Sequence, residues 1–288
     1  MITAMPRIAF ASADFDQMVE TFSDVLGLPV IDISASTVPG LGAKVAMCVP
    51  QGGSNIELMS PANPEAPLSQ SLQRFLERRG EGLFALMLEA DSPDDEAQMI
   101  TANGLDVLPL MHGASGRDIH PRSTDGVLIR IYPTDSFSQT RAETQRSLGL
   151  TGVLSVSIAV PALEAAAEIY GAGIGFPVDA QSVDQRRGVL SVAAHPPKGG
   201  VIELVTPVDT TRPVAAAMQR QLRDRGPGMF ALTLGASDLD AAIELLSSRG
   251  LDVDVGEDGV AQTTLFGSCV WLEGNTGAEA PAPHFKRA

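Results

Sequence analysis

Two glutamates occupy the same place in a passage that the chain carries twice. Asn55 to Val107 reads NIELMSPANPEAPLSQSLQRFLERRGEGLFALMLEADSPDDEAQMITANGLDV, and it aligns without a gap on Val201 to Val253, VIELVTPVDTTRPVAAAMQRQLRDRGPGMFALTLGASDLDAAIELLSSRGLDV. Glu57 and Glu203 are the acids of the shared Ile-Glu-Leu. A carboxylate inside such an apolar run needs a cation, a proton or hydrogen-bond donors beside it. Other groups able to do chemistry are sparse. Cys48 and Cys269 sit in unrelated apolar contexts and fit no ligand spacing, so they read as reduced core thiols. His112 and His195 stand beside turns, where histidines are usually solvated. There is no glycine-rich phosphate loop, no G-x-S-x-G elbow, no C-x-x-C pair and no H-E-x-x-H helix, which leaves hydrolysis by a nucleophile and nucleotide-dependent chemistry without equipment.

The elements that must position the glutamates follow from the repeat, because long-period self-similarity fixes architecture before single residues do. Ile8-Ala9-Phe10 leads into a segment ending Gly27-Leu28-Pro29-Val30, and Ile158-Ala159-Val160 leads into one ending Gly175-Phe176-Pro177-Val178. After Asp14, a plausible N-cap, Phe15, Met18, Val19, Phe22, Val25 and Leu26 keep helical spacing until Gly27. Strands are expected at Leu28 to Ile33, Ala43 to Val49 and Ser54 to Met59, the last two flanking a Pro-Gln-Gly-Gly turn. A helix around Ser69 to Arg79 follows. The pattern then restarts with strand Leu83 to Ala90, helix Pro93 to Asn103, and strands Leu105 to Leu110 and Val127 to Tyr132. Each half therefore holds two βαβββ-like modules. The second half repeats the order, with strands at Leu154 to Val160, Val189 to Ala194, Gly200 to Val205, Met229 to Gly235 and Val270 to Leu272. The expected division is residues 1–134, a polar linker 135–149, residues 150–274 and a frayed tail 275–288.

Bulk numbers narrow the function classes. A chain of 288 residues with 44% hydrophobic and 19% charged residues can bury a core in each half. No apolar run reaches the roughly 18 residues needed to span a bilayer, and no basic, apolar leader opens the chain, so a cytoplasmic location is expected. Thirty-five acidic against 20 basic residues give a net charge of −15. That sign repels nucleic-acid phosphates and anionic membranes and favours solubility.

Three stretches resemble a known family: RIAFASADFDQMVETFSDVLGLPV, NIELMSPANPEAPLSQSLQRFLERRGEGLFALMLEA and IHPRSTDGVLIRIYP, together covering Pro6 to Pro133. They are similar to the vicinal-oxygen-chelate superfamily of glyoxalase I, bleomycin-resistance proteins and extradiol dioxygenases, and within it to methylmalonyl-CoA epimerase. The second half is similar in its front three-quarters and lacks the His-Pro-x-Ser-Thr element. The resemblance implies an α+β fold of four βαβββ modules, forming two tandem glyoxalase-like domains that each enclose a cleft. Four modules in one chain also resemble the extradiol dioxygenase layout.

In that family a divalent metal polarises a carbonyl or diol oxygen from side chains at strand ends. The resemblance places its ligands on positions that have changed. The opening-strand histidine falls on Arg7 and Ser155, and the carboxylate on Glu57 and Glu203. The fifth-strand histidine falls on Ala85 and Ala231, and the closing glutamate on Arg130 and Trp271. The epimerase base falls on about Gly40. One carboxylate per half cannot hold a transition metal against water, and guanidinium groups repel the ion, so neither a metal nor another cofactor is expected.

The resemblance then brings Arg7, Glu57 and Arg130 into one cleft. They would grip a carboxylate or thioester carbonyl with Glu57 as base, or else form an ion-pair network that replaces a lost metal. His120, Arg122 and Ser123 would hold phosphate or carboxylate groups of an acyl-CoA, or else serve as turn chemistry before a strand. Glu203, with Ser155 and Trp271 beside it, would be a desolvated acid, part of an aromatic-walled pocket or a residue facing water. Arg186 and Arg187 lie within reach of it. The expected function is a metal-independent isomerase, epimerase or lyase with Glu57 and His120 as proton-handling residues and Arg7, Arg130, Arg122, Ser123, Glu203, Ser155 and Trp271 around the substrate. The alternatives are non-catalytic sequestration of a small molecule and, third, an atypical extradiol-type dioxygenase. The partner is a small carbonyl compound or acyl-CoA, and a homodimer is among the assemblies the resemblance allows.

Overall fold

A computed structural model describes residues 1–35, 42–110, 116–136, 149–256 and 259–274. The first half forms a seven-stranded sheet from β1 (Ile2–Ala11), β2 (Val30–Asp32), β3 (Ala43–Cys48), β4 (Asn55–Pro61), β5 (Gly82–Ala90), β6 (Arg117–Ile119) and β7 (Leu128–Pro133). Their order is β2-β3-β4-β1-β5-β7-β6. β1 runs parallel to β4 and antiparallel to β5, and β5 runs parallel to β7, so a βαβββ unit and a βαββ unit join along β1 and β5. Its helices are α1 (Phe15–Glu20), α2 (Pro67–Arg79) and α3 (Pro93–Ala102). Asp14 caps α1 by accepting from the Gln17 N–H, and the helix continues as a π turn over Thr21–Val25.

The second half repeats this with β8 (Leu150–Ala159), β9 (Ser182–Asp184), β10 (Val189–Ala194), β11 (Val201–Pro207), β12 (Gly228–Ala236), β13 (Asp254–Val255), β14 (Ala261–Leu265) and β15 (Ser268–Gly274). Their order is β13-β14-β15-β12-β8-β11-β10-β9. α4 (Leu163–Glu168), α5 (Pro213–Arg225) and α6 (Leu239–Ser248) match α1 to α3. The fold is thus α+β, four units of βαβββ type in two tandem halves, the second unit of the first half having three strands in place of four.

Burial explains the composition of the central strands. Every residue of β5 is buried. Leu83, Leu86 and Leu88 enter a core that also holds Val153, Ile202, Leu232 and Leu272, so one apolar core serves both halves. On the opposite face Ala85 and Met87 pack with Ala9, Ala11 and the α2 residues Leu68 and Leu72. The alanines let α2 lie close against the sheet. Val214, Ala215 and Met218 of α5 do the same over Ala159, Ala231 and Trp271.

Two expectations change. Leu105 to Leu110 is not a strand: only Val107 makes an isolated bridge, to Ile119, and the edge is supplied by β6 instead. The repeat also aligns differently at its start. Ile8 pairs Ile56 and Val156 pairs Ile202, so Ile8-Ala9-Phe10 answers Val156-Ser157-Ile158. Degenerate apolar triplets hid this offset, and β-bulges in both central strand pairs blur it further. Most of the expected linker, and the tail beyond Gly274, lie outside the described residues.

Candidate functional site

In the first half, β1 presents Arg7, β4 Glu57 and β7 Arg130. Arg7 and Arg130 are both register partners of Met87 on β5, while Glu57 pairs with Ala9, two residues along β1. The structure brings Arg7 and Glu57 together, Nε to Oε2 at 3.8 Å, with both side chains buried. At that separation no direct hydrogen bond forms, and neither atom has another partner among the described residues. Arg7 Nη2 donates to Ser136 Oγ at 3.0 Å, which in turn donates to Glu89 Oε1 at 2.7 Å. Its guanidinium lies 4.5 Å above the Tyr132 ring.

Arg130 does not point its fork at Glu57. Nε and Nη2 donate to the two oxygens of Asp118, its cross-strand partner on β6, at 2.5 and 2.7 Å. Burial opposes its charge, but Asp118 and Tyr132 outweigh that and hold the guanidinium firmly cationic. Arg7 and Arg130 therefore belong to two separate ion pairs, with Tyr132 beside both arginines. Asp118, Tyr132, Ser136 and Glu89 escape sequence reasoning, because their roles depend on which strands become neighbours.

The second half solves the same problem with a different arginine. Glu203 accepts Arg187 Nη1 at 2.9 Å and Nη2 at 2.5 Å, and Ser157 Oγ donates to it at 2.7 Å. It is not a lone desolvated acid. Arg187 also binds Asp184 through Nε at 2.6 Å, and its plane lies 5.0 Å from the Trp271 ring. Burial opposes the Arg187 charge, and Glu203 and Asp184 more than restore it. Arg187 comes from the β9–β10 turn, where Asp184 accepts from the Arg186 and Arg187 N–H groups and fixes the bend. Trp271 pairs with Thr233 as Arg130 pairs with Met87, so the sheet register makes them equivalent. Ser155, the counterpart of Arg7, donates to Thr233 Oγ1 at 3.0 Å and does not touch Glu203 among the described contacts. A cavity of about 660 Å³ opens here, lined by Ser182, Asp184, Arg186, Arg187, Ser191 and Glu203 among others.

His120, Arg122 and Ser123 form a short 3-10 turn. His120 Nδ1 accepts from the Arg122 N–H at 3.0 Å, Ser123 Oγ donates to the His120 carbonyl, and Thr124 Oγ1 does the same while reaching the Val127 carbonyl. Arg122 pairs with Asp106 at 2.5 Å. Three strands separate β4, which carries Glu57, from β6, which leads to His120, and the imidazole lines a groove at the seam between the halves. His195 Nε2 lies 2.8 Å from Asp179. His112 and Gly40 lie outside the described residues. Burial raises the Cys48 thiol far above its ordinary range and pushes Cys269 up to about 11, so neither is a nucleophile at neutral pH.

These donors do not fit the metal that the fold family implies. The aligned positions offer one carboxylate per half, already facing a guanidinium, and Ala85 and Ala231 are packed beneath α2 and α5. Among the described residues no three His, Cys, Asp or Glu side chains cluster in a way that would hold an ion.

Comparison with known proteins accords with the architecture. A variant of 4-hydroxymandelate synthase from Streptomyces coelicolor superimposes with a TM-score of 0.66 at 16% identity, covering 95% of this chain and 92% of that one. A fusion of a xylose isomerase-like TIM barrel with 4-hydroxyphenylpyruvate dioxygenase superimposes with a TM-score of 0.64 at 14% identity, covering 98% of this chain and 50% of the fusion. At these identities the likeness is one of fold. A search of curated proteins finds no match. The family model described as Glyoxalase/Bleomycin resistance protein/Dioxygenase superfamily matches residues 7–120 and again 155–265, and the chain belongs to that family.

Proposed function

We propose that the chain is a metal-independent small-molecule-binding member of its family, and that its ligand enters the cleft of the second half. The observation that carries this is the Arg187–Glu203 pair. It is braced by Ser157 and stacked near Trp271, and it lines a cavity of about 660 Å³, within the size range of small-molecule sites. The other polar walls, Ser182, Ser191, Gln185 and Arg186, suit a compact ligand rich in carbonyl, carboxylate or hydroxyl oxygens. Glu203 already receives three donors and so orients a guest better than it abstracts a proton. Binding is favoured over catalysis on that ground.

A second reading, proton transfer at Glu57, has one observation in its favour: Glu57 Oε2 is buried without a hydrogen-bond partner among the described residues. That oxygen would act as base on an isomerase or lyase substrate, with Arg7 polarising the substrate's carbonyl. The dioxygenase reading draws on fold likeness, and the donors around either glutamate do not serve it.

A thermal-shift screen of small hydroxy acids, keto acids and sugar acids separates these readings. The binding reading expects a ligand that raises Tm saturably, keeps its effect in chelator and loses it in Arg187→Met. A ligand effect that requires added metal, or turnover that Glu57→Gln abolishes while Arg187→Met spares it, would replace this reading with an enzymatic one.

A further inference from the structure

The duplication creates a groove that neither half contains alone. α2 and α5 run over their own sheets and end at the seam, where Arg79 Nη2 donates to the Pro227 carbonyl at 3.0 Å. Between their last turns lies a cavity of about 610 Å³. Phe84 and Phe230, equivalent residues of the two Phe-Ala-Leu segments, contribute to its apolar surface together with Phe75, Leu128 and Met229. Arg74, Arg78, Arg79 and Arg225 line the same space, and His120 joins them from the first half's turn.

Three of these arginines are conspicuous by their pairing. Arg74, Arg78 and Arg225 make no salt bridge among the described residues, although acidic side chains greatly outnumber basic ones. The two acids at the rim are engaged elsewhere. Glu81 accepts from Ser12 Oγ and the Ala13 N–H, and Asp224 is held by both arms of Arg223. Cations in a last helical turn complement the helix dipole, which accounts for Arg78 and Arg225 one helix at a time. It does not account for Arg74, nor for two helices aiming like charges at one another. Burial and the neighbouring Arg225 together lower the proton affinity of Arg79. An anion between the helices would relieve that repulsion.

We infer that this seam groove binds a single-chain amphiphile, its anionic phosphate or carboxylate head among Arg74, Arg78 and Arg225 and its apolar tail between Phe84 and Phe230. His120 Nδ1 is occupied as an acceptor, so the neutral imidazole keeps its Nε2–H as a further donor. The site is independent of the cleft around Arg187 and does not need that cleft to function.

Isothermal titration with decyl phosphate, decanoate, decanol and inorganic phosphate, each below its micellar concentration, tests the assignment. Both amphipathic anions are expected to bind saturably. Decanol and inorganic phosphate should each bind at least about tenfold more weakly, the factor that one charge-assisted contact commonly contributes. The exposed pair Arg78→Ser/Arg225→Ser should lose about tenfold for both anions and leave decanol unchanged, while Arg187→Met leaves all affinities unchanged. Equal binding of decanol and decyl phosphate overturns the proposal, as does equal binding of inorganic phosphate, indifference to the double substitution, or the absence of saturable binding. Loss of binding in Arg187→Met would move the amphiphile to the second cleft and overturn it too.

Discussion

Arg187 and Glu203 meet fork to fork, at 2.9 and 2.5 Å; the repeat relates Glu203 to Glu57, but Arg187 comes from a turn that it does not relate to the strand carrying Arg7. Both halves thus place a guanidinium beside the retained carboxylate by different routes. A carboxylate on an apolar sheet face has to be neutralised in either half, and this pairing meets the need without an ion.

Removing one partner should therefore cost more than removing both. Arg187→Met leaves Glu203 with Ser157 and strands Asp184, and is expected to lower unfolding free energy by about 2–4 kcal/mol in urea melts. Arg187→Lys keeps the charge, loses the fork and the stacking on Trp271, and should fall between. Adding Glu203→Gln to Arg187→Met should recover part of the loss. A cost below about 0.5 kcal/mol for Arg187→Met would mean the pair is merely tolerated.

The same pair sets an acid dependence. Burial works against the Asp184 charge, yet hydrogen bonds from Arg187 and Arg186 hold this carboxyl below its usual range. A depressed carboxyl contributes stability that is present above its unfolded value and fades as pH falls through its folded value. Urea midpoints between pH 6 and pH 3 should fall more steeply for wild type than for Asp184→Asn. Parallel curves would remove Asp184 from the network.

How much of this was legible in the residues depends on range. GLFALMLEA reads as a central strand because both faces are apolar, and β5 spans those residues. Glu57 and Glu203 stand out because the repeat carries them, and the proximity of Arg187 to β10 marks it as a partner within reach. Asp118 and Tyr132 give no such signal. Asp118 meets Arg130 only through the β6–β7 register, and Tyr132 meets Arg7 only because β5 separates their strands. The segment Leu105 to Leu110 alternates like a strand, but its single bridge to Ile119 shows that local preference lost to β6 for the place beside β7.

If the glutamates are neutralised by arginine, divalent metals should have nothing to stabilise. Melting temperatures with chelator and with added zinc, manganese or iron(II) are expected to agree within about 1 °C, since binding to the folded state alone would raise them. Glu57→Gln should leave Arg7 uncompensated and cost about 1–3 kcal/mol. A metal-dependent rise that Glu57→Gln abolishes would restore a coordination role to this residue.

Asp125 is a site where charge works against folding. It adopts φ 49°, its Oδ2 is buried without a partner among the described residues, and burial raises its proton affinity. Burial, with Asp125 adding to it, also pushes the Tyr170 phenol well above its ordinary range, while that hydroxyl donates to the Thr124 carbonyl at 3.3 Å. An acid with a raised folded value is favoured protonated, so its unfavourable effect grows as pH rises from the unfolded towards the folded value. Asparagine tolerates this backbone region and carries no charge. Asp125→Asn should stabilise by about 1 kcal/mol at pH 7, with the gain vanishing near pH 3. A gain independent of pH would assign the effect to backbone preference.

Glycines at the seam test whether the halves are one folding unit. Gly53 has φ +70°, and a Cβ there would stand 1.8 Å from the carbonyl oxygen of Val153, next to the Gly52–Gly152 bridge. Gly80 also has a positive φ, +76°, with ψ −167°, and nothing within 4 Å of the equivalent Cβ. Alanine at such a glycine-favouring position costs about 1–3 kcal/mol, so Gly80→Ala measures a backbone penalty without a clash. Gly53→Ala must add displacement of backbone at the junction, and a total of at least about 3 kcal/mol is expected. Because Val153, Ile202 and Leu86 share one core, the loss should appear as a lower midpoint of a single calorimetric transition. Two resolved transitions in Gly53→Ala would show that the seam contacts, and not the shared core, couple the halves.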